Sequence, residues 1–552
     1  MPRPPTLATP RISGAALRAL RRSLVAAPTR KLIYALARRD LGMDTLAALE
    51  PELRGPQPLA ARPLRARATH DRPSEGLPVA APDAAAPTSA SLVAAFRAGT
   101  RSPVETTRRA LDAAARLAAD RPAMPVLLER DEAGALAAAE ASEARWRRGT
   151  ALGPLDGVPV TVKEEVDVRG LYTRLGTTYV GDAPAREDGA VVERLRAAGA
   201  VVLGSSPMTE YGLTPLGFNP HRAMPRNPHH TGHVAGGSST GAAVGVATGV
   251  VPVAVGSDGG GSIRVPASFC GVFGLKPTFG RISRRGDGFG GTMAHLGPLG
   301  RSAWDLAVFL EATAGEDPAD ELTHGAPRCE VVGALGRGVR GLRVGVLEEE
   351  LRDADEAVAR ACEAALDALG KEGAVLVPLR AELLRAAPAI GYPTIGVESY
   401  AGLLDARRYH ADAIGDDLAV SLSSLGELPA DAYLDAQRLR ARLRLDVAAL
   451  LREVDVLALP TAARTATAVT DEELRGGFVD PPALGAACRF AFLANLTGLP
   501  AGTAPVGVDA AGLPIGLQIV GDAWDEACVL QVLAHLERAR IAEVRRPRVF
   551  VG

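Results

Sequence analysis

Two serines stand in glycine-rich frames, Gly236-Gly237-Ser238-Ser239-Thr240-Gly241 and Ser257-Asp258-Gly259-Gly260-Gly261-Ser262-Ile263-Arg264, and upstream of them Lys163 closes the apolar run Val158, Val160, Val162. These residue types suit nucleophilic catalysis. A serine hydroxyl is a poor nucleophile until an adjacent base takes its proton. A lysine can be that base only when neutral, a state that burial favours and that arginine does not reach. The chain draws nearly all its positive charge from arginine, with lysine only at 31, 163, 276 and 371, so a lysine at the end of an apolar strand is a marked choice. The competing reading is a strand-end lysine that merely pairs with Glu164 or Glu165.

Ser262 is the expected nucleophile. The three glycines before it let the backbone turn its N–H groups toward one point, an oxyanion hole at Gly259, Gly260 and Gly261 in which loss of one donor typically costs ~3 kcal/mol of transition-state stabilisation. Asp258 and Arg264 are expected to pair with each other or with backbone and to lock this loop. Glycine-rich turns also bind phosphate. Here no Gly-Lys-Ser/Thr follows, and no Gly-x-Gly-x-x-Gly lies between a strand and a helix. Gly237-Ser-Ser239-Thr-Gly241 also matches a Gly-x-Ser-x-Gly nucleophile elbow, which would move the nucleophile to Ser239. That elbow needs an apolar strand before it, whereas His229-His-Thr-Gly-His-Val-Ala-Gly is polar loop. His221, His229, His230 and His233 raise the question of a metal site. With no neighbouring cysteine or acidic ligand in a Pro/Gly-rich stretch, a plain surface loop is expected.

The run from His233 to Val244, followed by Val253 to Thr278, resembles the amidase signature family. Asp156-Gly-Val-Pro-Val-Thr-Val-Lys163 resembles the segment that carries that family's catalytic lysine. Asp455-Val-Leu-Ala-Leu-Pro-Thr461, Asn495-Leu-Thr-Gly-Leu-Pro500 and Gly512-Leu-Pro-Ile-Gly-Leu-Gln518 resemble its C-terminal landmarks. The resemblance implies a Ser-Ser-Lys triad: Ser262 attacks, Ser238 relays the proton after a cis peptide bond, and Lys163 receives it, with Ser239 in support. It implies no metal and no cofactor, and it favours a homodimer. Pro207-Met-Thr-Glu-Tyr-Gly212, Arg226-Asn-Pro228 and the N-terminal region resemble the plant-type fatty acid amide hydrolase branch. That implies a lipid amide such as an N-acylethanolamine, bound near Gly212 and the oxyanion loop. Ser205 and Pro207 stand where many relatives have lysine and asparagine, Thr240 where glycine or serine is usual, and Glu164 where aspartate is common. The alternatives are an amidase for short aliphatic or aryl amides, the ammonia-releasing A subunit of a tRNA-dependent amidotransferase, and a membrane-associated binding module with an inert hydrolase fold.

The elements that must position these residues alternate. Ser102-Pro-Val-Glu105 is a capping box opening a helix through about Ala119. Asp131 to Arg148 and Asp188 to Ala198 read as helices, the second leading into the strand Ala200 to Leu203. Ala242 to Thr248 reads as a buried helix of small residues behind Ser238, and the strand Val250 to Val255 delivers the oxyanion loop. Leu342 to Leu347 begins another strand after a linker around 316–340. The fold class is therefore α/β, a central mixed twisted β-sheet covered by helices on both faces with an N-terminal helical extension. Three regions are expected: residues 1–50, basic amphipathic helices that cap the body or contact membrane; 51–88, a proline-rich tether; and 89–552, the catalytic domain.

Composition agrees. The net charge of −2 argues against general nucleic-acid binding. Cys270, Cys329, Cys362, Cys488 and Cys528 are odd in number and form no CxxC, as for free thiols in a reducing compartment. The first 43 residues carry nine basic residues and one acidic, a local +8 against −10 for the rest. Leu17, Leu20 and Leu24, then Leu32, Ile33 and Leu36, recur at helical spacing, which suits either docking on the acidic body or an anionic membrane interface. No apolar run reaches the roughly 20 residues of a spanning helix. The expected location is cytoplasmic, with peripheral contact at the inner membrane face as the further expectation.

Overall fold

The structure, a computed structural model, describes residues 11–38, 40–49, 63–67, 87–288 and 290–552. Most of the proline-rich tether lies outside the described residues. Its short piece 63–67 is anchored: the Ala66 and Arg67 N–H groups donate to the Asp522 carboxylate at 2.8 and 3.0 Å, and the Arg67 guanidinium reaches Asp455 at 2.6 Å.

Eleven strands form one mixed sheet. Its order is Glu129–Arg130, Val201–Ser206, Pro159–Lys163, Val253–Asp258, His295–Gly300, Phe273–Lys276, Ala501–Val508, Pro514–Gly521, Val456–Pro460, Arg343–Leu347 and Val375–Leu379. The strand that ends in Lys163 lies parallel to both neighbours, Val201–Ser206 and Val253–Asp258. The lysine and the oxyanion loop therefore emerge at the same edge of the sheet.

Alternation along the strands divides the core in two. Val160, Val162, Val202, Val253 and Val255 belong to the core of one face, which helix Ala303–Thr313 shares and which continues under Glu356–Lys371 and Glu526–Arg538 where these cover Ala501–Val508 and Pro514–Gly521. Val201, Leu203 and Ala254 point to the opposite face, against Pro103–Ala119 and Thr240–Ala247. Further along, Leu457 and Val520 meet helices Ala387–Gly402 and Ala430–Glu453. Both faces are covered, as the near-continuous apolar strands require.

The expected helices form with shifted ends. Ser102 accepts a hydrogen bond from the Glu105 N–H at 3.1 Å, but the Glu105 carboxylate turns to Arg109 at 2.6 Å, so the reciprocal arm of the box stays open. The strand expected from Val250 starts at Val253, because Gly249, at φ +83°, ends the preceding helix in a turn where the Val250 and Val251 N–H groups bond the Gly245 carbonyl. The stretch 316–340 is no loose linker: it carries short 3-10 turns at Glu321–Thr323 and Val332–Gly336 and buries Val331, Ala334 and Leu335.

At the N-terminus, helices Gly14–Ser23 and Ala27–Ala37 both form. The first docks: Leu17 is buried, and Arg21 reaches Asp416 at 2.6 Å and the carbonyls of Ala411 and Asp412. Just before it, Arg11 pairs with Glu473 at 2.8 Å and stacks over Phe478. The second pairs Arg30 with Glu427 yet leaves Leu32 and Leu36 exposed, as is Val25 ahead of it. Among the described residues no helix is long and apolar enough to cross a membrane.

Candidate active site

Lys163 is fully buried at the end of its strand. Its Nζ lies 2.7 Å from Ser238 Oγ, 2.7 Å from Ser257 Oγ and 3.2 Å from Glu165 Oε1. The two readings of this lysine thus coexist, with Glu165 as the paired carboxylate. A tight turn makes this possible: the Val166 N–H donates to the Lys163 carbonyl at 3.0 Å, and the Gly288 N–H donates to the Glu165 carbonyl at 2.8 Å, folding the Glu165 side chain back over the amine. Glu164 points elsewhere, to Arg222 at 2.7 Å and the Gly176 N–H at 3.2 Å. Burial raises its carboxyl above the ordinary value, and Arg222 opposes that rise.

Ser238 follows a cis peptide bond from Gly237 and precedes the helix Thr240–Ala247, every residue of which is buried. Small residues let that helix lie against the sheet. The backbone at Gly212 passes so close that a Cβ there would stand 3.2 Å from Ser238 Oγ. Ser239 is fully buried and outside the cavity. Its N–H donates to the Ser262 carbonyl, and its hydroxyl bonds the Ser257 backbone. It clips the two serine loops together, and this excludes the nucleophile elbow.

Ser262 is partly exposed and shares a cavity of about 500 Å³, open mouth included, with Ser238, Ser257, Gly259 and Gly212. The loop before it is held from behind. Asp258 and Arg264, both fully buried, form a two-point pair at 2.8 and 3.0 Å, and Arg264 also donates to the Ala491 carbonyl and to Asn495 and Gln518. Burial pushes the Asp258 carboxyl up, but Arg264 and then Asn495 outweigh it and hold the group well below the usual carboxylate range. One expectation needs correction. The Gly261 N–H is not an oxyanion donor in this arrangement, because it donates to Asp258 Oδ1 at 2.7 Å. Gly261 serves through its backbone, at φ +118° with no room for a Cβ beside Ala491.

The remaining walls are mixed. Tyr211, Leu213, Met293 and Ile395 are apolar, whereas Glu165, Asp287 and Glu398 bring carboxylates. Glu398 is fixed by the Thr292 N–H at 2.9 Å and the Thr292 hydroxyl at 2.6 Å. Ile395, Glu398 and Ser399 lie at i, i+3 and i+4 on one helix and so share a face. Beside the Asp258 pair, burial pushes the amine of Lys276 and the imidazole of His295 well below their ordinary values.

The histidines do not converge. His221 Nε2 lies 2.8 Å from the Glu210 carboxylate, His229 bonds the Cys270 carbonyl, and His230 and His233 face each other at 3.0 Å while His230 Nδ1 also accepts from the Gly232 N–H. Among the described residues no three His, Cys, Asp or Glu side chains could hold a metal ion. All five cysteines are free thiols.

Sequence reasoning gave no role to Ser257, Asn495 or Gln518. Each stands inside one of the motifs named above, so proximity to a motif was the available signal. What the arrangement offers chemically is a cavity-facing serine on a pinned glycine loop, beside a second serine in direct contact with a buried amine.

A family model described as Amidase matches residues 105–530. The chain is 34% identical over 469 residues to a fatty acid amide hydrolase of Arabidopsis thaliana, covering 83% of this chain and 76% of that protein. It is 33% identical to the A subunit of a glutamyl-tRNA(Gln) amidotransferase of Chloroflexus aggregans, covering 82% and 96%. It is 38% identical to the AtzE subunit of the 1-carboxybiuret hydrolase of Pseudomonas sp., covering 74% and 90%. Among solved structures, the peptide amidase of Stenotrophomonas maltophilia superposes with a TM-score of 0.70 at 29% identity, covering 84% of this chain and 98% of that one.

Proposed function

The chain belongs to the amidase family and is an amide hydrolase, and on that premise we propose that it works through an acyl-enzyme built by Ser262, Ser238 and Lys163, acting on a lipid amide. The observation that carries the reading is the 2.7 Å contact between the buried Lys163 amine and Ser238 Oγ, at the floor of the cavity that Ser262 faces.

With Lys163 neutral, the Ser238 hydroxyl donates its proton to the amine as Ser238 Oγ takes the proton of Ser262. The Ser262 oxygen bonds to the amide carbon, and the carbonyl electrons move onto oxygen, facing the loop N–H groups. Collapse breaks the carbon–nitrogen bond. The leaving amine takes a proton from Ser238, which is reprotonated by Lys163. Water then enters by the same relay and releases the acid. Gly259 and Gly260 are the loop positions left for oxyanion contact, with Asp258 and Arg264 holding them in place.

The lipid-amide reading draws on the similarity to plant fatty acid amide hydrolases and on the N-terminal helices, whose exposed Val25, Leu32 and Leu36 suit a cap or a membrane contact. The partly acidic lining of the cavity, with Glu165, Asp287 and Glu398, favours a second reading, a short aliphatic or aryl amide. Hydrolysis of a long-chain N-acylethanolamine, a short aliphatic amide and an aryl acylamide, each with a Ser262→Ala control, separates the two. Long-chain preference abolished in the control supports the lipid reading; short or aryl preference overturns it and keeps the triad; activity in the control overturns the nucleophile.

A further inference from the structure

The Lys163 amine has three oxygen neighbours: it hydrogen-bonds Ser238 Oγ and Ser257 Oγ, each at 2.7 Å, and forms an ion pair with Glu165 Oε1 at 3.2 Å, outside hydrogen-bond geometry and with no other partner for that oxygen. An ammonium group carries three N–H donors and no acceptor, so its protonated form suits two hydroxyls and a carboxylate counter-charge. A neutral amine carries two N–H bonds and one lone pair. To act as base toward Ser238 it must aim that lone pair at Ser238 Oγ, which leaves its N–H bonds for Ser257 and Glu165. A carboxylate accepts and cannot donate, so it can meet only an N–H.

We propose that Glu165 is a positioning residue that serves Lys163 as an aspartate serves the histidine of a Ser-His-Asp triad, fixing the direction of its lone pair and balancing the ammonium that forms when it takes the proton. The proposal rests on the Ser262, Ser238 and Lys163 reading above. Glu165 suits the task because it is buried, with only 3% of its side chain exposed, and because the turn from Lys163 to Val166 holds its backbone. In that low-dielectric setting a fixed counter-charge acts strongly on a charge that appears only during reaction. The other charged groups are placed differently. Glu164 is tied to Arg222, and Asp258 is closed by Arg264. Glu398, which also lines the cavity, is held by Thr292.

No atom is added to the reaction by this role. Proton transfer from Ser262 through Ser238 turns Lys163 from amine to ammonium while Glu165 stays a carboxylate throughout, and return of the proton to the leaving amine restores the pair.

The test compares wild type with Glu165→Gln and Glu165→Asp on a matched amide and ester, across pH, together with fluorophosphonate labelling of Ser262. Glu165→Gln keeps the shape and an acceptor oxygen but removes the charge. Its kcat is expected to fall about 100-fold with KM within about 2-fold of wild type, the signature of an interaction made in the transition state. The acid limb of kcat/KM should move to lower pH, because removing an opposite charge a few ångströms from a base disfavours its protonated form. Glu165→Asp, which keeps the charge, should recover part of kcat and leave the limb in place. Wild-type kcat in Glu165→Gln overturns the proposal, and so does a fall in kcat with an unmoved limb, which is what a structural role gives. Should Glu165→Gln not fold, Glu165→Ala with added formate decides: kcat that the small carboxylate restores supports the role, and kcat that it leaves unrestored overturns it. Activity in Ser262→Ala would sink the triad reading itself. A dead Ser262→Ala beside a wild-type Glu165→Gln sinks only the role of Glu165.

Discussion

Replacing Arg264 by methionine tests whether the pair behind the oxyanion loop organises catalysis or only fills space. The guanidinium is fully buried and meets Asp258 at two points, 2.8 and 3.0 Å, while Asp258 accepts from the Gly261 and Ile263 N–H groups at 2.7 and 3.1 Å. Arg264→Met leaves a buried carboxylate without its partner, a change that typically costs about 3–5 kcal/mol. With an unfolding entropy of about 2.1 cal/mol/K per residue, a chain of 552 residues should lose roughly 3–4 °C in Tm. The pH dependence has a definite sign. The Asp258 carboxyl is depressed in the folded state, so its contribution is present above the unfolded value near 3.9 and is lost as pH falls toward the lower folded value. The gap in Tm between variant and wild type should therefore narrow as pH drops below about 4. Because Asp258 holds two loop N–H groups, kcat should also fall, by about 100-fold for a displacement near 1 Å, with little change in KM. Thermal melts at several pH values and steady-state kinetics on one amide read both effects. A variant that loses stability but keeps wild-type kcat would refute the claim that this pair positions the oxyanion loop.

Lys163→Ala should cost more against amides than against matched esters, because the amine leaving group needs the returned proton; equal losses count against the relay. Gly261→Ala should lower kcat at least 10-fold with the chain still folded, since a residue at φ +118° is strained by about 1–3 kcal/mol and its Cβ would meet Ala491 at 2.8 Å; a wild-type rate would show that the loop tolerates the change. Asp417 is buried near Glu210, and burial followed by Glu210 pushes its carboxyl up to about 7. Its raised folded value means that wild-type stability falls as pH rises from about 4 to about 7, so Asp417→Asn should raise Tm more at pH 8 than at pH 5. An equal Tm gain at both pH values would contradict that.

The local pieces of this protein were legible because near neighbours decide them. The helix Glu132–Arg148 with its Asp131 cap, the buried small-residue helix behind Ser238 and the strand ending in Lys163 all follow from periods of 3.6 and 2, from capping residues and from glycine. The residue types of the site, two glycine-framed serines and a scarce lysine, were equally open to reading. Tertiary structure decided what these residues do to one another. The placement of His295–Gly300 between Val253–Asp258 and Phe273–Lys276, the clasp of Arg264 by Asn495 and Gln518 from 231 and 254 residues away, and the diversion of the Gly261 N–H to Asp258 have no local signature. Glu164 and Glu165 make the point most sharply. As adjacent, chemically identical residues they offered the sequence no means of choosing between them. Packing chose, because one side chain reaches Arg222 and the other is turned by Gly288 and Val166 onto the lysine, and such contacts depend on distances that only the folded chain sets.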